Sequence, residues 1–163
     1  MDAKTYMSWF GKKKKYIAEE KEYIAEDIPD KDFLFTRIHK INLTRNDGLP
    51  KADAFKNTPF NVDSEVLSSD WCKYINAQQC RDSVVNYSKE GKPPKNPKDY
   101  FIWKMNVGRI RKELVPAQEV FHTPRKHNRA HSTIKGRKPE NEDVNNAEFR
   151  SLIIEIGQWA IAP

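Results

Sequence analysis

Long apolar runs are missing from this sequence. No stretch approaches the roughly 20 residues that a membrane-spanning helix needs. The first twenty residues, MDAKTYMSWFGKKKKYIAEE, lack the apolar length of a signal peptide. Cysteine is scarce too: Cys72 and Cys80 are the only two, and they lie eight apart in a stretch that reads as helical. Helical spacing would put their Cα atoms about 12 Å apart, beyond disulfide reach. The expectation is a cytoplasmic chain with free thiols and no membrane partner. Motifs of metal and nucleophile chemistry are equally absent. His127 and His131 stand at i, i+4, but no HExxH glutamate lies between them, and the histidines match no tight zinc spacing. No serine sits in a GxSxG elbow, and small cysteines with apolar neighbours are commonly inert. Neither a metal nor another cofactor is expected. Homeodomain, zinc-finger and RNA-recognition signatures are missing as well.

What the chain does contain is bulky core material and charge. Four Trp, eight Phe and six Tyr accompany a hydrophobic fraction of only 37% and a charged fraction of 32%. Disordered chains are poor in aromatics, so this one folds. A length of 163 residues suits one domain with an appended terminal segment. The net charge of +6 is uneven: Lys104 to Lys138 holds ten basic and two acidic residues, a local +8, and the rest sums to −2. A clustered basic surface attracts phosphate or nucleic acid, although charge runs are often merely solvated.

In chain order, Met1 to Asp30 reads as an N-terminal helical appendage. Tyr16-Ile17-Ala18-Glu19 recurs seven residues on as Tyr23-Ile24-Ala25-Glu26, which would place both Tyr-Ile pairs on one helix face. That face suits packing on the body or docking on a protein partner. Pro29 closes the segment, and residues 31–163 form a single α+β domain: a small mixed sheet with flanking helices and a C-terminal helix. Phe33 to His39 reads as a strand, with Leu34, Thr36 and Ile38 on one face and Phe35, Arg37 and His39 on the other. Asn46-Asp47-Gly48 signals a turn. Lys51 to Val66 lacks periodicity and reads as a long loop. Leu67-Ser68-Ser69-Asp70-Trp71 reads as the N-cap and opening of a helical part, with Trp71, Tyr74 and Ile75 at i, i+3, i+4. A second helical stretch starts near Asn76, with Cys80, Val84 and Val85 on one face. Gly91 to Pro97 is a surface loop. Tyr100 to Ile110 alternates as a central strand. Two short strands, Val120 to His122 and Ala130 to Lys135, would pair as a hairpin through PRKHNR. Phe149, Leu152, Ile153, Ile156 and Ala160 then mark a C-terminal helix with a buried stripe, and Asn145 with Glu148 offers a capping-box variant. Gly157 would cost such a helix up to ~1 kcal/mol relative to Ala, so the helix ends early there or packs closely.

The candidate chemistry gathers on two strands. Arg37 and His39 share a face of the first, and the basic stretch supplies His122, Arg125, Arg129, His131 and Lys135. If the two regions meet, they form a pocket for a phosphate, a nucleotide or a ribose, because guanidinium grips phosphate bidentately. Binding of a phosphate-bearing ligand or nucleic acid through this Arg/His surface is the leading functional expectation. The first alternative is a metal-independent phosphodiesterase or nucleotide-processing enzyme, with His131 as acid/base, Thr133 holding a phosphate oxygen, and His39 or His122 as second base. The other is a protein-interaction module working through the N-terminal helix.

Two resemblances accompany these residues. His131-Ser132-Thr133-Ile134 resembles half of the signature of two-histidine phosphoesterases, whose second unit is absent: His39 lacks a hydroxyl two residues on, and Thr123 follows His122 one place early. The landmarks Arg37-x-His39, Leu67-Ser68-Ser69-Asp70-Trp71 and Asn128-Arg129-Ala130-His131-Ser132 through Gly136 resemble those of a group of small bacterial proteins without an assigned activity. That likeness spans Phe33 to Trp159 and implies a bacterial cytoplasmic domain, with no catalytic role attached.

Overall fold

The computed structural model describes residues 23–55, 66–136 and 143–163. Its centre is a six-stranded sheet of β1 (Phe33–His39), β2 (Val66–Trp71), β3 (Tyr100–Asn106), β4 (Glu119–His122), β5 (His131–Lys135) and β6 (Gly157–Ile161), in the order β4-β5-β2-β1-β3-β6. Three helices accompany it among the described residues: α1 (Ala77–Asp82), α2 (Val107–Glu113) and α3 (Asp143–Glu155). The α+β class is as expected. The sheet, however, is not mixed, because every neighbouring pair runs antiparallel. Antiparallel neighbours need no crossover helix, so tight connections such as the β4–β5 hairpin suffice.

The expected alternation of β1 holds and sets the two faces. Leu34 and Ile38 are buried on one side with Trp103, Met105, Leu67, Trp71, Val120 and Ile134. Val107, Ile110 and Leu114 from the α2 region, Phe149 and Ile153 from α3, and Ile156 just after it cover this side. Each such side chain contributes about 1.5–3 kcal/mol of burial, so this face is the main core. The opposite face has only a small apolar cluster of Phe35, Ile102 and Cys80, covered by α1. The rest of that face is polar, and there the site forms.

Four expectations are corrected. Leu67-Ser68-Ser69-Asp70-Trp71 is strand β2, not a helix opening. Leu67, Ser69 and Trp71 alternate into the core, the first two opposite β5 and Trp71 opposite Leu34 of β1, but two serines of equal polarity hide the two-residue period. Only Tyr100 to Asn106 of the expected strand is extended; Asn106 caps α2 by accepting from the Arg109 amide at 3.0 Å. The C-terminal helix stops at Glu155, and Gly157 begins the edge strand β6. A Cβ on Gly157 would overlap the buried Trp103 indole, which is the close packing the glycine permits. Finally, Tyr23 to Pro29 is irregular, not helical. It is a strap, with Ile28 buried in the core and Glu26 bonded to Lys73 and Tyr74. The first Tyr-Ile repeat lies outside the described residues. The helical stretch expected near Asn76 is present as α1, with Cys80 and Val84 buried, but Val85 faces solvent.

Candidate functional site: a cationic pocket over the minor face

Ladder register decides which polar side chains meet. Asp70 of β2 is opposite His131 of β5, and Phe35 of β1 is opposite Asp70, so Asp70, His131 and Arg37 share the face away from the main core. Asp70 is 1% exposed and anchors a network. Its Oδ2 accepts from Arg37 Nη2 at 2.6 Å and from the Cys80 thiol at 3.4 Å. Its Oδ1 accepts from Asn128 Nδ2 at 2.7 Å, and the same amide donates to the Tyr87 hydroxyl at 2.8 Å. Arg37 further donates to the Cys80 carbonyl at 2.7 Å and to Ser83 Oγ at 2.6 Å, with its guanidinium 5.0 Å from the Tyr87 ring. The Cys80 carbonyl is near the end of α1, where helical carbonyls need outside donors. A capping box between Asn76 and Gln79 starts that short helix and so positions the acceptor.

Above this floor is a cavity of about 450 Å³ lined by residues that include Arg37, Asp70, Tyr87, Lys95, Arg125 and His131. Ser68 on β2, Val84 and Tyr100 contribute to its walls. Among the described residues, three cations against one carboxylate leave the lining net positive. Arg125 reaches it from the hairpin tip, where its amide and carbonyl bond those of Asn128 at 3.0 Å each way. Lys95 comes from the Gly91–Pro97 loop, with its ammonium 5.9 Å from the Tyr100 ring.

His131 is the distinctive group. It is 5% exposed, and its Nδ1 lies 2.9 Å from the Thr123 carbonyl oxygen. A carbonyl only accepts, so Nδ1 carries the proton and Nε2 is left with a lone pair. The Thr123 hydroxyl, also 2.9 Å from Nδ1, bonds Thr133 Oγ1 at 2.7 Å and braces the ring. Nε2 is buried and has no hydrogen-bond partner. Burial, reinforced by the charge of Arg125, holds the His131 pKa below its ordinary value; the Thr123 carbonyl opposes this. Burial thus favours the uncharged imidazole.

The other expected residues are elsewhere. His122 points to the main core, because it is opposite Ser132, one pleat away from His131. Its Nδ1 accepts from the Glu26 amide at 3.1 Å, its Nε2 donates to the Arg129 carbonyl at 2.7 Å, and the ring stacks on Tyr74. Both nitrogens are thus occupied, Nδ1 with the strap and Nε2 with the β4–β5 hairpin. His39 shares the face of Arg37 but stands at the strand end, capping the next turn and meeting Tyr100 edge-on at 4.9 Å. Arg129 lies over Tyr74, 4.1 Å from its ring, beside the strap. Thr133 braces His131 through Thr123, and Lys135 is exposed at the far end of β5. The structure therefore brings together Arg37, Arg125 and His131, and separates them from His39, His122, Arg129 and Lys135.

The basic run is dispersed in the same way. Arg109 pairs with Glu113 at 2.8 Å, and Arg111 pairs with Asp30 at 2.7 Å with Lys112 at 3.4 Å from the same carboxylate. Sequence reasoning missed Asp70, Asn128, Tyr87 and Lys95 as members of the site. Asp70 alone left a signal, an acidic residue alternating with Ser68 on what is now a strand. Among the described residues, no group of three or more His, Cys, Asp or Glu side chains could hold a metal ion. Nor is any described helix long and apolar enough to cross a membrane. No protein-family model, curated protein or solved structure matches the chain.

Proposed function

We propose that the pocket over β1, β2 and β5 binds a small phosphate-bearing ligand. The observation that carries this reading is the convergence of Arg37, Lys95 and Arg125 on one cavity of about 450 Å³ with a pre-organised floor. Small-molecule sites span about 300–1,000 Å³, whereas a duplex needs a broad basic face. Pairing of Arg109, Arg111 and Lys112 with carboxylates argues against such a face. Asp70 fixes the Arg37 guanidinium, and Arg125 and Lys95 supply the remaining charge at the rim. An enzymatic reading of the pocket retains only His131 as base, since among the described residues no other histidine lines the cavity.

The test is a calorimetric titration with inorganic phosphate and with a nucleoside monophosphate, on wild type and on an Arg125→Ala/Lys95→Ala double variant. Charge-assisted hydrogen bonds are worth about 1.5–3 kcal/mol each, so the double variant is expected to bind at least ~10-fold more weakly. Wild-type affinity should fall with added salt. Unchanged affinity in the double variant, or a flat salt dependence, overturns the proposal.

A further inference from the structure

The phosphate reading leaves one feature of the pocket unused. A neutral, buried Nε2 with no partner cannot donate to a phosphate oxygen; it can only accept. Its tautomer is locked, since Nδ1–H is committed to the Thr123 carbonyl at 2.9 Å and the Thr123 hydroxyl is braced by Thr133. The cations that would grip a phosphate, Arg125 and Lys95, come from loops on the outer side of the cavity, while His131 and Asp70 are on the sheet. A ligand that fills the cavity therefore meets cations at the rim and a hydrogen-bond acceptor deeper in. Tyr87 and Tyr100 line the same cavity and offer aromatic surface to a planar group.

From this arrangement we infer that the pocket takes a ribonucleotide, whose phosphate is held by Arg125 and Lys95, whose base lies against Tyr87 and Tyr100, and whose ribose hydroxyl donates to Nε2 of His131. The inference rests on the phosphate reading and adds the class of ligand. Burial favours the uncharged ring that this role needs, and the Arg125 charge reinforces it. Lining residues of the opposite type would contradict the assignment. Among the described residues the one carboxylate lining the cavity is Asp70, and both its oxygens are already accepting, from Arg37, Cys80 and Asn128. Ser68, Tyr87 and Tyr100 carry hydroxyls that both donate and accept, whereas Nε2 of His131 is a partnerless nitrogen that in the neutral ring can only accept.

The experiment compares a ribonucleoside 5′-monophosphate with its 2′,3′-dideoxy counterpart, which keeps the phosphate and base but loses both ribose hydroxyls. Inorganic phosphate serves as the reference. The wild type is expected to bind the ribo form about 10-fold more tightly, the worth of one good hydrogen bond to a buried acceptor. In His131→Phe the two nucleotides should bind alike. A reading independent of that variant's folding is the ¹⁵N resonance of His131 Nε2 in the wild type, which should shift on adding the ribo form and not the dideoxy form. A short single-stranded RNA in the same titration separates two sources of this chemistry. Tighter binding of the strand assigns an RNA terminus, and tighter binding of the monophosphate assigns the free nucleotide. Equal affinity for the ribo and dideoxy forms, or binding of phosphate without either nucleotide, overturns the ribose assignment and leaves the phosphate reading standing. Absence of binding by all of them overturns both.

Discussion

Removing the Asp70 carboxylate should be the most damaging single change at the site. Asp70→Ala strands the Arg37 guanidinium, whose side chain is only 17% exposed, without its counter-charge at 2.6 Å. It also takes the acceptors from Asn128 and the Cys80 thiol. Breaking a buried pair from one side costs about 3–5 kcal/mol. Arg37 keeps some solvent, together with Ser83 and the Cys80 carbonyl, so the lower end of that range, about 3 kcal/mol, is expected. In a chain of this size that lowers Tm by roughly 6–12 °C. Urea unfolding followed by tryptophan fluorescence measures it directly. The companion variant is Arg37→Met/Asp70→Leu, which replaces the pair with apolar side chains and should recover stability to within about 1 kcal/mol of wild type or better. Its ligand binding should nevertheless be weakened, because the pocket loses the Arg37 guanidinium. A cost below about 1 kcal/mol for Asp70→Ala, or a double variant no more stable than the single, would refute the account of Asp70 as the anchor.

Three further outcomes follow from particular contacts. His122→Ala should lower stability by about 2–4 kcal/mol in urea titrations, through lost packing on Trp71 and Tyr74 and two broken bonds to backbone; binding of phosphate should stay unchanged, and a selective loss of binding would return this residue to the site. Gly157→Ala should destabilise by about 1–3 kcal/mol, since a Cβ there collides with the buried Trp103, and a neutral or stabilising result would remove that constraint. Stability should also depend on pH through His131. Its folded pKa lies below the unfolded value of about 6.5, so the unfolded chain takes up the proton first. The stabilising effect is complete above that value and is lost as pH falls through the folded pKa. Arg125 and Arg37 disfavour the imidazolium, while Asp70 and the Thr123 carbonyl favour it. The urea midpoint of wild type should therefore fall relative to that of His131→Phe below about pH 6.5, and a constant difference between the two would count against a neutral buried ring.

The comparison of sequence with structure is most instructive at β2 and at the two histidines. Strands β1 and β3, the β4–β5 hairpin and the buried stripe of α3 were legible because their apolar residues repeat at the period of the element they form. Leu67 to Trp71 was not, because Ser69 is buried and Ser68 is exposed although they are the same residue type. Only the pairing of Asp70 with His131 and Ser69 with Ser132 reveals the strand. The pleat then separates His122 from His131, which a one-residue shift of hairpin register would have placed on one face.

By itself, the sequence determined the α+β class, most of the elements, and three residues, Arg37, Arg125 and His131, that line one cavity. Local periodicity and residue chemistry are written along the chain, so these could be read from it. The tertiary structure decided which charges remain for a ligand and which pair with carboxylates. It also decided that Asp70 anchors the pocket, that His122 serves the core, and that one nitrogen of His131 is left without a partner. Those outcomes depend on strand register and on contacts between residues far apart in the chain, such as Arg37 with Asp70 and Asp70 with Asn128, and no local pattern specifies them.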